Sequence, residues 1–113
     1  MNWSYLEHPE QLDQLIAESG STTILIFKHS TRCSISRATL DRLERNWEDA
    51  DIPNVKPYFL DLLSFRNISN AIASLFQVEH QSPQVLMIRN GKSVYDNSHY
   101  GINVNDIREN AKY

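Results

Sequence analysis

The sequence predicts an α/β fold of three layers, a mixed central sheet of four to five strands with helices on both faces. Two observations carry the prediction. Short apolar, β-branched runs alternate with stretches of helical periodicity through most of the chain, and Asn90-Gly91 then separates two strand-like runs near its end. The three glycines and four prolines stand singly, so there is no linker and no repeat, and residues 1–113 read as one domain. Of 113 residues 41% are hydrophobic, and 11 Lys plus Arg face 14 Asp plus Glu for a net charge of −3. That composition excludes a disordered or collagenous chain and leaves no overall positive field to hold a nucleic acid.

Asn2 to Leu6 reads as a short first strand. Pro9 suits a first helical position, and Leu12, Leu15 and Ile16 mark one helical face before Gly20 closes it. Thr22 to Phe27 is apolar on consecutive positions, as in a strand covered on both faces, and Lys28-His29-Ser30-Thr31-Arg32 is expected to lead out of it. From Cys33 the residues Ile35, Thr39, Leu43 and Trp47 recur every four, with Leu40 beside them, until Pro53 forbids continuation. This is the longest predicted helix. Val55 to Leu60 reads as a second core strand, with Pro57 placing an edge or an irregular start there. Ile68, Ile72, Leu75 and Phe76 give a helix with one buried side, begun by Ser64 or Asn67. Val85 to Ile88 and Ser93 to Tyr95 flank Asn90-Gly91 and should pair antiparallel. A last helix starts near Asn103 or Asn105, buries Val104, Ile107 and Ala111, and runs to the chain end.

Strands joined by helices pair in parallel through right-handed crossovers, whereas the hairpin adds antiparallel strands. That order is expected of a thioredoxin-like fold. A flavodoxin-like sheet would be all parallel and would leave Asn90-Gly91 with no hairpin to close.

The single cysteine, Cys33, follows a buried strand and begins the longest helix. Unpaired N–H groups and the positive dipole end of that helix favour thiolate over thiol. Lys28, His29, Arg32 and Arg37 are close by and no acid lies between Ser19 and Asp41, so the local field is expected to be basic. A lone cysteine also occurs as a small buried hydrophobe. The neighbours Ser30, Thr31, Arg32, Ser34 and Ser36 are all polar, which argues for an exposed, reactive thiol. Three residues on stands Ser36, where a dithiol oxidoreductase would carry its second cysteine. A mixed disulfide on Cys33 must therefore await an external thiol. The Ser36 hydroxyl is placed either to donate to the thiolate or to satisfy a backbone N–H at the helix start. Ser82-Pro83 precedes a predicted strand, and Pro83 by itself is a turn residue, since only ~5–6% of such bonds are cis. His29 is a candidate proton carrier; with Cys33 it makes too few ligands for a metal, and no metal site is expected. His8, His80 and His99 read as surface residues. Asp61 ends a strand, where it either steers a proton or holds a loop.

The run Phe27-Lys28-His29-Ser30-Thr31-Arg32-Cys33-Ser34-Ile35-Ser36, with Ser82-Pro83 ahead of a strand and the Asn90-Gly91 hairpin, resembles the monothiol bacilliredoxins of the YtxJ type over nearly the whole chain. The resemblance implies a thioredoxin-like fold, Cys33 as nucleophile, and Pro83 as the cis-proline that faces the cysteine, where the adjacent backbone pairs with substrate as an added strand. It implies an oxidoreductase that removes a low-molecular-weight thiol, bacillithiol or an equivalent, from mixed disulfides on S-thiolated client proteins, with that thiol as co-substrate and no tightly bound cofactor. Arg32, Ser36 and His29 would support the thiolate. Ser34, where many relatives have proline, loosens the first helical turn, and Arg32, where a smaller polar residue is common, adds charge.

Two other readings compete: a non-catalytic peptide-binding module using the groove by Pro83, and a redox-sensor thiol without turnover. The N-terminal segment lacks the basic start and apolar stretch of a secretory signal, and the longest apolar run, Ile24 to Phe27, is far short of the ~20 residues of a membrane-spanning helix. A cytoplasmic monomer without membrane or nucleic-acid partners is expected.

Overall fold

A computed structural model of the chain describes residues 1–111. In chain order it contains β1 (Ser4–Tyr5), α1 (Gln11–Glu18), β2 (Thr23–His29), α2 (Ser34–Asn46), β3 (Val55–Asp61), α3 (Arg66–Phe76), β4 (Gln84–Arg89), β5 (Lys92–Ser98) and α4 (Val104–Asn110), with 3-10 turns at Asp49–Asp51 and His99–Gly101. The strands form one sheet in the order β1-β3-β2-β4-β5. β1 and β2 run parallel to β3, β4 runs antiparallel to β2, and β5 runs antiparallel to β4. The mixed sheet and its helical layers are those predicted. The end of the expected last helix at the chain terminus lies outside the described residues.

All seven residues of β2 are buried, because the central strand meets a helical layer on each side and alternate residues enter different cores. Ile24 and Ile26 pack with Leu12, Leu15, Ile68, Ile72 and Phe76 of α1 and α3. Leu25 and Phe27 pack with Leu43 of α2 and with Val104 and Ile107 of α4. Pro57 causes no break in this sheet. The Leu6 N–H bonds to the Phe59 carbonyl, so the odd-numbered residues of β3 direct their backbone groups toward β1. Because β1 pairs only with Tyr58 and Phe59, the donor that Pro57 lacks points to the side beyond that short ladder and costs no bond to β2.

Several boundaries differ from the expectation, each for a visible reason. α1 begins at Gln11 rather than Pro9. The Gln11 side chain accepts from the Glu7 and His8 N–H groups and donates to the Tyr5 carbonyl, closing a turn that holds Pro9 outside the helix. β2 continues through Lys28 and His29, which pair with Leu60 and Asp61 of β3. The buried stripe of α2 is Ser36, Thr39 and Leu43, and Ile35 is 37% exposed, so the first apolar residue of the helix is not a core residue. In α3 Leu75 is 51% exposed, and Ser69 joins Ile68, Ile72 and Phe76 on the buried side. Phe65 precedes that helix, while Ser64 donates to Asp61 instead of capping. α4 is capped by Asn103, whose side chain accepts from the Asp106 N–H.

Candidate active site

The register brings four chain segments to one end of the sheet. His29 at the end of β2 pairs with Asp61 at the end of β3; Lys28 pairs with Gln84 at the start of β4, and Gln84 with Ser98 at the end of β5. The chain leaves β2 at this end, turns through Ser30 to Arg32 and reaches Cys33, the last extended residue before α2 (φ −105°, ψ 119°). The Cys33 N–H donates to the Ser30 carbonyl and its own carbonyl accepts from Arg37. Its free thiol is half-buried and accepts no bond from the first helical turn, so it stands beside backbone donors that have no partner within the helix. That turn contains no acidic residue, and Arg32 and Arg37 are exposed around it.

Lys28 does not join these arginines, contrary to the expectation from sequence proximity. Side chains alternate along a strand, and Lys28 lies on the face of Ile24 and Ile26, against α3. It is fully buried, and its ammonium donates to the Ser69 carbonyl at 3.3 Å and to His80 Nδ1 at 3.2 Å. Burial pushes its pKa down to about 8. His80, expected to be only a surface residue, is exposed but is tied to Lys28 and to the Ser69 hydroxyl.

His29 takes the opposite face, the side of α2. It is buried, packs against the Phe27 and Phe59 rings, and has Nδ1 2.7 Å from the Ser36 hydroxyl. Burial lowers its pKa; the Asp61 carboxylate opposes this and Arg37 adds to it. The ring is therefore a neutral group at pH 7, not a source of positive potential. Ser36, fully buried, also accepts from the Ser30 N–H at 3.1 Å, so its hydroxyl fastens the cysteine loop to the helix. Asp61 accepts from the Leu63 N–H and the Ser64 hydroxyl, holding the turn into α3. A concavity of about 330 Å³ beside the cysteine loop is lined by His29, Thr31, Arg37, Leu40 and Asp41. Another of about 320 Å³ lies near the far end of α2, between Arg42, Asn46 and Arg108, away from the thiol.

The Ser82–Pro83 peptide is cis. Pro83 is buried, its carbonyl accepts from the His99 N–H at 3.0 Å, and the Ser82 hydroxyl is shielded from solvent with no hydrogen-bond partner among the described residues. His99 has φ 55°, and next to it Tyr100 is 78% exposed, a large aromatic at the same sheet end as the cysteine. Sequence reasoning missed Tyr100 and the Lys28–His80 contact. An ammonium in strand register with Ile24 and Ile26 was the signal for the second. Among the described residues no group of three or more His, Cys, Asp or Glu side chains is arranged to hold a metal ion.

A cysteine at the helix start after the central strand, facing the sheet end where a cis-proline begins the next, defines this as a thioredoxin-fold protein of the thiol oxidoreductase class. Solved structures agree on the fold. A thioredoxin-fold protein proposed to be an oxidoreductase is 28% identical, with a TM-score of 0.83 over 97% of this chain and 94% of its own. Fasciola hepatica thioredoxin is 21% identical, with a TM-score of 0.71 over 95% of this chain and 94% of its own. Mitochondrial thioredoxin 3 of Saccharomyces cerevisiae is 14% identical, with a TM-score of 0.71 over 96% of this chain and 92% of its own. Residues 4–107 match the monothiol bacilliredoxin BrxC family, and the chain belongs to that family.

Proposed function

We propose that the protein removes a low-molecular-weight thiol, bacillithiol or a chemical equivalent, from mixed disulfides on client proteins. The observation that carries this reading is the half-buried Cys33 at the start of α2, at the same sheet end as Ser82 and Pro83. The Cys33 thiolate attacks the small thiol's sulfur in the client disulfide. A new disulfide forms between Cys33 and the small thiol as the old bond breaks, and the client leaves as a thiolate that takes a proton from water. A second molecule of the small thiol, as thiolate, then attacks the sulfur of the first, releasing a small symmetrical disulfide and free Cys33.

The backbone donors at the start of α2, with Arg32 and Arg37, favour the anionic sulfur in both steps. Ser36 and His29 position the cysteine loop, and the imidazole, being neutral, adds no positive charge there, so the favourable charge is left to the backbone donors and the arginines. An extended client segment lies along Ser82 and Pro83 as an added strand, with Tyr100 and Ile35 as apolar walls. The concavity between Thr31, Arg37 and Asp41 suits the polar body of the small thiol. Among the described residues no helix is long and apolar enough to cross a membrane; action on cytoplasmic clients as a monomer is part of the proposal.

The experiment uses a client protein carrying the bacillithiol adduct, its intact mass followed with time in the presence of wild type or Cys33→Ser. The expected result is loss of the adduct with wild type, no loss with Cys33→Ser, and a transient adduct on Cys33. Equal loss with both proteins sinks the reading. Intact mass of the protein taken from its own cells after acid quench identifies the thiol.

A further inference from the structure

We infer that Lys28, together with His80 and Gln84, forms a tie that positions the segment leading into Ser82 and Pro83 for client binding. The inference rests on the role proposed for that groove and deepens it.

The segment between α3 and β4 has no regular structure of its own. α3 ends at Gln77 in the left-handed conformation, and β4 starts only at Gln84. Two side chains hold what lies between. Lys28 reaches His80 Nδ1. Gln84, almost fully buried, donates from Nε2 to the Glu79 carbonyl at 2.9 Å and accepts from the Gln81 N–H at 3.4 Å. Lys28 and Gln84 are direct cross-strand partners, so two buried polar groups standing opposite each other on β2 and β4 both grasp residues 79–81, immediately before the cis peptide.

An apolar residue at position 28 would pack with Ile24 and Ile26 at no electrostatic cost. The ammonium is instead buried with acceptors only, a carbonyl and an imidazole, and no carboxylate among its partners, an arrangement that lowers stability. It faces away from Cys33, so the thiol chemistry does not use it. What it does hold is the segment ahead of Ser82.

The tie requires an unprotonated Nδ1 on His80. The charged groups acting on that ring are Lys28 from β2 and Arg66 from α3, both cations; Glu79 is its neighbour on the chain, and Ser69 and Gln84 are uncharged. Protonating His80 removes the acceptor and sets a second positive charge against the lysine. The tie is closed at neutral pH and opens as acid protonates the ring.

Hydrogen exchange of the peptide covering residues 78–83, corrected for the intrinsic pH dependence, tests this between pH 8 and pH 5. In wild type, protection of this segment is expected to fall about tenfold on acidification while α2 is unaffected. Lys28→Met should lack the protection at both ends of the range. His80→Asn keeps an acceptor that does not titrate and should remain protected throughout. With the client disulfide, Lys28→Met should raise KM about tenfold with little change in kcat, and alkylation of Cys33 by iodoacetamide, which needs no groove, should be unchanged. Unchanged protection in Lys28→Met, or an acid step that persists in His80→Asn, overturns the tie. Absence of client turnover in wild type overturns the reading of Cys33 instead, and with it the tie's link to client binding, while the exchange result still decides whether the tie exists.

Discussion

Ser36, fully buried, holds two partners at once, the half-buried Ser30 N–H and the buried His29 ring. Ser36→Ala should cost about 1–3 kcal/mol of stability, the penalty of leaving buried polar groups unmade. It should also loosen the loop that carries Cys33. Urea unfolding measures the first effect, and a faster alkylation of Cys33 by iodoacetamide reports the second. The cysteine was legible in the sequence because its polar flanks are visible in the residues themselves, whereas the cis bond at Pro83 was indicated by the family resemblance alone, since a Ser-Pro step by itself reads as a turn. The partners of Lys28 and His29 were not legible. Reading the strand as ending at Phe27 made both residues loop cations, whereas two further strand positions send them to opposite faces, one beneath the cysteine and one against α3. A single boundary error of two residues thus reassigned two side chains.

The same arithmetic governs α2. Counting every fourth residue from Ile35 finds Thr39 and Leu43 of the buried stripe but starts it one residue early, because the buried line begins at Ser36. Ser36 turns inward to bond the His29 ring and the Ser30 N–H, and apolar periodicity cannot register such a position. Leu43→Ala should therefore destabilise the protein by about 2–5 kcal/mol, whereas Ile35→Ser should change stability by less than about 0.5 kcal/mol and weaken client binding. Thermal unfolding of the two variants side by side checks the assignment. The hairpin was more readable. Asn90 and Gly91 take positive φ as such a turn demands, but its fastening to α1, through bonds from the Asn90 and Gly91 N–H groups to the Ser19 carbonyl and hydroxyl, depends on tertiary contact that no local pattern reveals.

Across the fold, three bases with lowered pKa values, Lys28 and His29 buried and His80 exposed but tied to Lys28, give stability a defined pH dependence. His29 and His80 both have pKa values lowered by burial from 6.5, so their contribution is complete above that value and is lost as pH falls through the folded-state pKa. Lys28, at about 8 against 10.5, follows the same sign at higher pH: the folded protein sheds this proton first, and stability rises between the two values. Urea midpoints should fall from pH 7 to pH 5. Lys28→Met should be roughly 1–3 kcal/mol more stable than wild type at pH 7, with the difference shrinking toward pH 10; a constant difference would mean that the lysine is not a buried ammonium. The parallel and antiparallel pairings followed from the crossovers and the hairpin, both general rules, whereas the spatial order β1-β3-β2-β4-β5 needs the tertiary structure. Pro57 has a last consequence of its own. The side of β3 toward β1 carries only a two-residue ladder, and at Pro57, itself buried, a ring nitrogen without hydrogen gives an added extended segment no donor to pair with. The imino acid therefore makes this side a poor place for strand addition, and under the function proposed above a guest strand is admitted at the far corner of the sheet instead.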